Sequence, residues 1–146
     1  MKMASIEERF STALHSTARG WRLLVDRRLK DLGMSQASWL TVAVAAKAKA
    51  PLAQIELAHR VGVEGATMVA MLDRLANAGL VVRVPSETDR RVKLVTLTAA
   101  GLKLYDKVRT EANAVRKELL SGIDAKVLLA ATELLESLQG VVEEAP

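Results

Sequence analysis

Between Pro51 and Leu97 the spacing of apolar residues switches from a helical period to a strand period, and this switch restricts the chain to few folds. Leu52, Ile55, Leu57, Ala58 and Val61 recur at helical spacing. Pro51 suits the first position of that helix, and Gly62 suits a left-handed cap at its end. From Val63 to Leu80 the helical spacing returns. At roughly 100° per residue, Met68, Val69, Leu72, Leu75 and Ala76 share one arc as wide as a core-facing stripe. Ala66, Thr67, Ala70, Met71 and Arg74 share the opposite arc, which is short-chained at its start and carries no acid. Beyond Gly79, Val81 to Val84 and Val92 to Leu97 are β-branched runs that predict two strands. The polar turn between them, Pro85 to Arg91, ends in two arginines.

Two short helices joined by a tight glycine turn predict a helix-turn-helix, whose second helix is the one that enters a DNA major groove. The hairpin after it predicts a winged form. Upstream, Ser5 and Glu8 fit a capping box. Phe10, Leu14, Thr17, Trp21, Leu24 and Arg28 then mark one long helix to about Leu32, closed by Gly33. Ser35 caps a helix through Trp39, Val42 and Ala46, which Pro51 terminates. Downstream, Thr98 caps a long helix through Leu104, Val108, Ala112, Val115 and Leu119. Gly122 breaks it, and Asp124 caps a last helix through Val127, Ala131, Leu134, Leu138 and Val141. The predicted fold is therefore mainly α with a small β-hairpin wing. A winged helix-turn-helix at 35–97 is flanked by helices at 1–34 and 98–146, in one structural unit. The outer helices carry more apolar stripe than a winged region of ~45 residues covers alone. Packing within the chain and packing against a second copy both bury such stripes.

Several motifs stand in order along this plan: Glu56-Leu57-Ala58, Leu72-Asp73-Arg74-Leu75, Gly79-Leu80, Asp89-Arg90-Arg91, and Leu97-Thr98-Ala99-Ala100-Gly101. With them the chain resembles the MarR (multiple antibiotic resistance regulator) family of bacterial transcription factors, over about residues 6–142. Within the family, the run from Ala18 to Val42 is similar to the first helix and following loop of the SlyA-type regulators. The resemblance implies a homodimer joined through the outer helices. It also implies a palindromic operator on double-stranded DNA, read by two helices about one turn, ~34 Å, apart. The expected function is that of a transcriptional regulator, a repressor released by a small aromatic carboxylate.

Ala66, Thr67, Ala70, Met71 and Arg74 are the predicted reading face. Alanine and threonine methyls suit the thymine C5-methyl group, and Arg74 suits a guanine edge or a phosphate. Where SlyA-type relatives carry an arginine early on this helix the chain has Ala70, and Glu64 replaces a better cap. Base readout by that arginine is therefore lost, which shifts weight to a different operator or to the wings. Arg90 and Arg91 suit a narrow A·T-rich minor groove, where negative potential is enhanced. In the family an acidic residue orients the wing arginine, and Asp89 and Asp73 are the two candidates; Lys93 is placed for a phosphate. Arg19, Trp21, Arg22 and Trp39 form a second constellation, in which the two arginines share a helical edge. In SlyA-type proteins the matching arginines and the Trp39 equivalent line a crevice that takes aromatic carboxylates such as salicylate. Guanidinium holds a carboxylate bidentately and indole stacks on a ring, which suits that ligand. Ala43 stands where those relatives have a histidine. The competing assignment makes both tryptophans core and pairs both arginines with acids such as Asp26.

Composition closes off other classes. A chain of 146 residues is one domain's length, and a hydrophobic half is too much for disorder. The balance of 21 basic against 17 acidic residues favours a polyanionic partner only slightly. With no cysteine there is no disulfide, thiolate metal site or thiol switch. His15 and His59 lie apart with no ligand cluster, so no metal is expected, and the scattered glycines make no phosphate loop. No nucleophile motif supports an enzyme, and no cofactor is expected. No apolar run reaches the ~18 residues of a membrane helix, and Met1 to Phe10 has no signal-peptide core, so the expected location is the cytoplasm. The rival reading is a winged-helix module for protein contact with no operator of its own. Salt separates the two, since DNA binding weakens steeply as counterions compete.

Overall fold

In the computed structural model, residues 2–146 are described. The Ser5 capping box forms as predicted: Ser5 Oγ accepts the Glu8 N–H at 3.1 Å and Glu8 accepts the Ser5 N–H at 3.1 Å. It opens α1 (Ile6–Leu29), which tightens into a 3₁₀ turn over Lys30–Leu32 and stops at Gly33, φ 70°. Ser35 and Ser38 cap each other at the start of α2 (Gln36–Lys47). Then come β1 (Leu52–Ala53), α3 (Gln54–Val61), α4 (Gly65–Asn77), β2 (Val81–Pro85) and β3 (Lys93–Leu97). The chain ends with α5 (Ala99–Leu120) and α6 (Ala125–Glu144), the latter capped by Asp124 Oδ1 on the Lys126 N–H at 2.8 Å. The fold is mostly helical with a small antiparallel sheet, as the class predicted.

The sheet corrects the sequence reading at Pro51 and Leu52. Pro51 does not open a helix; Leu52 and Ala53 pair with Val95 and Leu94 as an edge strand, giving the order β1-β3-β2. Two residues are too few to display a period, and the preceding proline is tolerated at an edge where its missing N–H breaks no ladder bond. The hairpin register runs Val81 to Leu97, Arg83 to Val95 and Pro85 to Lys93. Ile55 does not join the apolar side of α3: it is 79% exposed, while Leu57 and Ala58 are buried.

The second correction is the phase of α4. Met68, Leu72 and Leu75 are buried as predicted, but Met71 is only 2% exposed and Val69 is 41% exposed. On a wheel of roughly 100° per residue this is a stripe of the predicted width turned by about 60°. The neighbour that selects the phase is α2. Thr41, fully buried, donates its hydroxyl to the Ala37 carbonyl at 2.7 Å and lies 3.2 Å from Met71 Sδ. Met71 is thus a core residue and no part of a reading face.

The chain divides into two compact units, Met1–Asn113 and Ala114–Pro146. In the first, Leu29, Val42, Leu57, Leu72 and Val95 are completely or almost completely buried. Helix α6 in the second buries no residue, and Val127, Leu129, Leu134, Val141 and Val142 are all exposed on it. The junction between hairpin and α5 is close-packed: Thr98 Oγ1 donates to the Gly79 carbonyl at 2.6 Å and accepts the Gly101 N–H at 3.1 Å. A Cβ at Gly101 would collide with the Leu80 carbonyl oxygen.

Candidate nucleic-acid interface

Helix α4 starts without a side-chain cap. Glu64 holds the extended N-cap conformation (φ −71°, ψ 156°) but makes no capping hydrogen bond, in line with the poor cap read from the sequence. The first turn therefore shows free backbone donors and small side chains. Ala66, Thr67 and Ala70 are exposed, and Arg74 is exposed one turn further along. At its far end, Gly79 (φ 76°) turns the chain directly into β2. The wing is consequently anchored at the C-terminal end of the helix it flanks.

At the wing tip, Ser86 N–H bonds to the Val92 carbonyl at 2.8 Å and Val92 N–H to the Asp89 carbonyl at 2.9 Å. Asp89 then grips Arg91 three times: Oδ1 accepts the backbone N–H at 3.0 Å and Nε at 3.1 Å, and Oδ2 accepts Nη2 at 3.1 Å. The Arg91 guanidinium first, and its backbone N–H second, hold the Asp89 carboxyl below its ordinary range. Asp89 in turn raises the Arg91 guanidinium further above neutrality. The Arg91 side chain is 91% exposed, so a fixed cation projects from the turn. Arg90 is exposed beside it, with no ion pair among the described residues, and Lys93 is exposed opposite Pro85. Of the two acids considered for the wing arginine, Asp89 therefore reaches it. Asp73 does not; its Oδ1 accepts Arg83 Nη2 at 2.6 Å.

Asp73 also corrects the outward face of α4, which does carry an acid: its side chain is about half exposed on the side of Ala66 and Ala70. Arg83 was not singled out in the sequence, although a signal existed. Strand alternation puts it on the same face as the buried Val81, an odd place for an unpaired cation.

The second constellation separates. Arg19 and Arg22 are exposed and border one cleft of about 330 Å³ with Leu14, His15, Ala18, Leu23 and Gln36. Neither is in an ion pair among the described residues, so Asp26 does not neutralise them. Trp21 is half-buried and lines no part of this cleft. Trp39 is 8% exposed, is a core residue, and its Nε1 has no hydrogen-bond partner among the described residues. The sequence reading of one pocket with stacking indoles is therefore corrected to an arginine cleft without tryptophan. Among the described residues no group of three or more His, Asp or Glu is arranged to hold a metal, and no helix is long and apolar enough to cross a membrane.

The sequence pattern of the MarR family matches residues 36–93, from α2 to the first residue of β3. The crystal structure of transcriptional regulator PA3341 is 38% identical and superposes with a TM-score of 0.86, over 93% of this chain and 99% of that one. The chain belongs to the MarR family. Two further structures share its fold at lower identity. CouR from Rhodococcus jostii RHA1, bound to p-coumaroyl-CoA, has a TM-score of 0.79 at 24% identity, over 93% of this chain and 95% of that one. AbsC, a MarR family transcriptional regulator from Streptomyces coelicolor, has a TM-score of 0.81 at 18% identity, over 99% and 100%. Within the MarR winged-helix fold, α3 and α4 form the helix-turn-helix and β2–β3 is the wing.

Proposed function

We propose that this MarR family protein is a homodimeric, sequence-specific transcriptional repressor of the SlyA type, acting at a palindromic operator. Residues 35–97 bind DNA, and 1–34 with 98–146 form the dimer. The observation that carries the reading is the pairing of a short-chained helix face with a fixed arginine. Ala66, Thr67, Ala70 and Arg74 lie open on α4, while Asp89 holds Arg91 out from the wing, with Arg90 and Lys93 nearby. Methyl groups and one guanidinium suit thymine and guanine edges in a major groove, and the wing cations suit an adjacent minor groove. Dimerisation is supported by apolar side chains left exposed on the outer helices, Ile6 and Phe10 on α1 and Val127, Leu134 and Val141 on α6. Two copies related by a twofold axis bury such a stripe and read an inverted repeat.

Arg19 and Arg22 bind the carboxylate of a small aromatic acid, with Leu14 and Leu23 against its apolar body. CouR, which shares the fold, is bound to p-coumaroyl-CoA, an aromatic acyl thioester; this supports an aromatic ligand, while the free carboxylate rests on Arg19 and Arg22 alone. Release follows from linkage: a ligand that prefers the DNA-free spacing lowers operator affinity by its differential affinity for the two states, typically about 1–3 kcal/mol. The test is selection of bound duplexes from a random pool. The expected product is an inverted repeat with half-site centres about one helical turn apart, and salicylate should release it from wild type but not from Arg22→Ala. Selection of no duplex at all would sink the DNA reading; selection of a single half-site by a monomer would sink the dimer. Equal release of both proteins would remove the ligand from this cleft.

A further inference from the structure

Asp73 poses a problem for a surface that meets phosphates. On a wheel of roughly 100° per residue it falls between Val69 and Ala66, on the exposed arc of α4. Arg83 meets it from the middle of β2. One nitrogen, Nη2, donates to Asp73 Oδ1 at 2.6 Å, and the other, Nη1, lies 3.5 Å from Gln54 Oε1 at the first residue of α3. The Arg83 side chain is 25% exposed and that of Asp73 54%, so the pair lies at the surface with its guanidinium partly sheltered. Across the ladder Arg83 faces Val95, and Val95 faces Leu52 of β1. One guanidinium therefore stands where α3, α4 and the hairpin meet.

We propose that Arg83 is a positioning residue: by holding Asp73 and Gln54 on separate nitrogens it fixes the wing at one angle to α4. The inference rests on the DNA-binding reading above. A two-stranded hairpin has little rigidity of its own, and β1 adds only two residues to the sheet. Its covalent link to α4 is the short turn through Ala78 and Gly79. Without a clamp, the wing and the helix would each have to be ordered when DNA binds, and that ordering subtracts from affinity. A planar guanidinium with fixed donor directions sets an angle; the single-point charge of a lysine does not. The same bond occupies the one acid on this side of the helix.

Arg83→Gln, Asp73→Asn and the double variant distinguish this clamp from a simple phosphate contact. Three quantities are read against wild type. They are affinity for a duplex that wild type selects from a random pool, the slope of log affinity against log salt, and amide hydrogen exchange of Val82 to Val84 without DNA. Each single variant is expected to lose about fivefold in affinity, and the double variant no more than the weaker single, because the two side chains act as one unit. The salt slope stays unchanged, since no phosphate contact is lost. Wing amides exchange faster while those of Val42 and Leu57 in the core do not, which separates positioning from general loss of stability. Tighter binding by Asp73→Asn, or a slope reduced by about one in Arg83→Gln, makes Arg83 a phosphate-facing cation and overturns the proposal. Unchanged wing exchange in all three variants overturns it equally. If wild type selects no duplex the DNA reading fails, and faster wing exchange in the variants still supports the clamp.

Discussion

Met71→Ala separates a reading face from a core, because the residue lies on α4, the helix proposed to read DNA, yet is only 2% exposed. The substitution removes Cγ, Sδ and Cε. At about 0.8 kcal/mol per buried methylene-sized group, the transfer term is roughly 2–2.5 kcal/mol. The cavity term is small here, because Met71 already borders a cavity of about 440 Å³ shared with Met34, Leu75 and Leu104. Thr41 leaves no orphan behind: its hydroxyl keeps the Ala37 carbonyl at 2.7 Å when the sulfur is gone. The expected loss is therefore about 2–3 kcal/mol, in the lower half of the range for Met→Ala in a core. For a chain of this size that lowers the melting temperature by roughly 5–10 °C. Thermal denaturation followed by circular dichroism reads it, at one fixed protein concentration because association shifts the midpoint. Thr67→Ala, on the exposed arc, is the counterpart: stability should stay within about 0.5 kcal/mol while affinity for a selected duplex falls. If Met71→Ala melts with wild type and instead changes which sequences are bound, the placement of Met71 in the core is wrong.

Replacing Arg90 and Arg91 together by alanine should weaken DNA binding roughly tenfold and flatten its salt dependence. Both side chains are exposed, so the melting temperature should hardly move; equal gel-shift affinity would remove the wing from the interface. Gly101→Ala should destabilise the hairpin–α5 junction by more than the gain that alanine brings to a helix, because its Cβ meets the Leu80 backbone oxygen; a melting temperature at or above wild type would refute this. Asp89 is held below its ordinary value by Arg91, so the turn's bonds are complete above about pH 4 and fade as pH falls through the folded value. Arg91, raised by Asp89, keeps its proton across that whole range. The Arg91 amide resonance should accordingly be constant from pH 8 to 5 and shift only below; a shift centred near neutrality would contradict the pairing. Truncation after Gly122 should abolish dimerisation in sedimentation at micromolar concentration, since it removes the exposed stripe of α6.

Much of this protein is decided within a few residues of chain. The Ser5–Glu8 box, the Ser35 cap, the left-handed Gly33, Gly62 and Gly79, and the Asp124 cap depend on local donors and on the absence of a Cβ. Element order and type follow from them, and so does the Asp89–Arg91 pair, two residues apart in one turn. Tertiary packing decided what no local rule contains. The apolar residues of α4 define a stripe about 100° wide but leave its edges open, and contact with Thr41 on α2 drew in Met71 and released Val69. The edge strand at Leu52 exists only because β3 offers it a ladder, and two residues carry no period of their own. Trp39 is drawn into the core and lines no part of the Arg19–Arg22 cleft, since a buried indole removes more apolar area from water than one beside exposed guanidinium groups. Arg83 reaches Asp73 from ten residues away and Gln54 from twenty-nine, distances over which side-chain identity alone specifies no partner. Backbone chemistry acts between near neighbours and is legible in order; the facing of a helix and the partner of a charge depend on surfaces that meet only after the chain has folded.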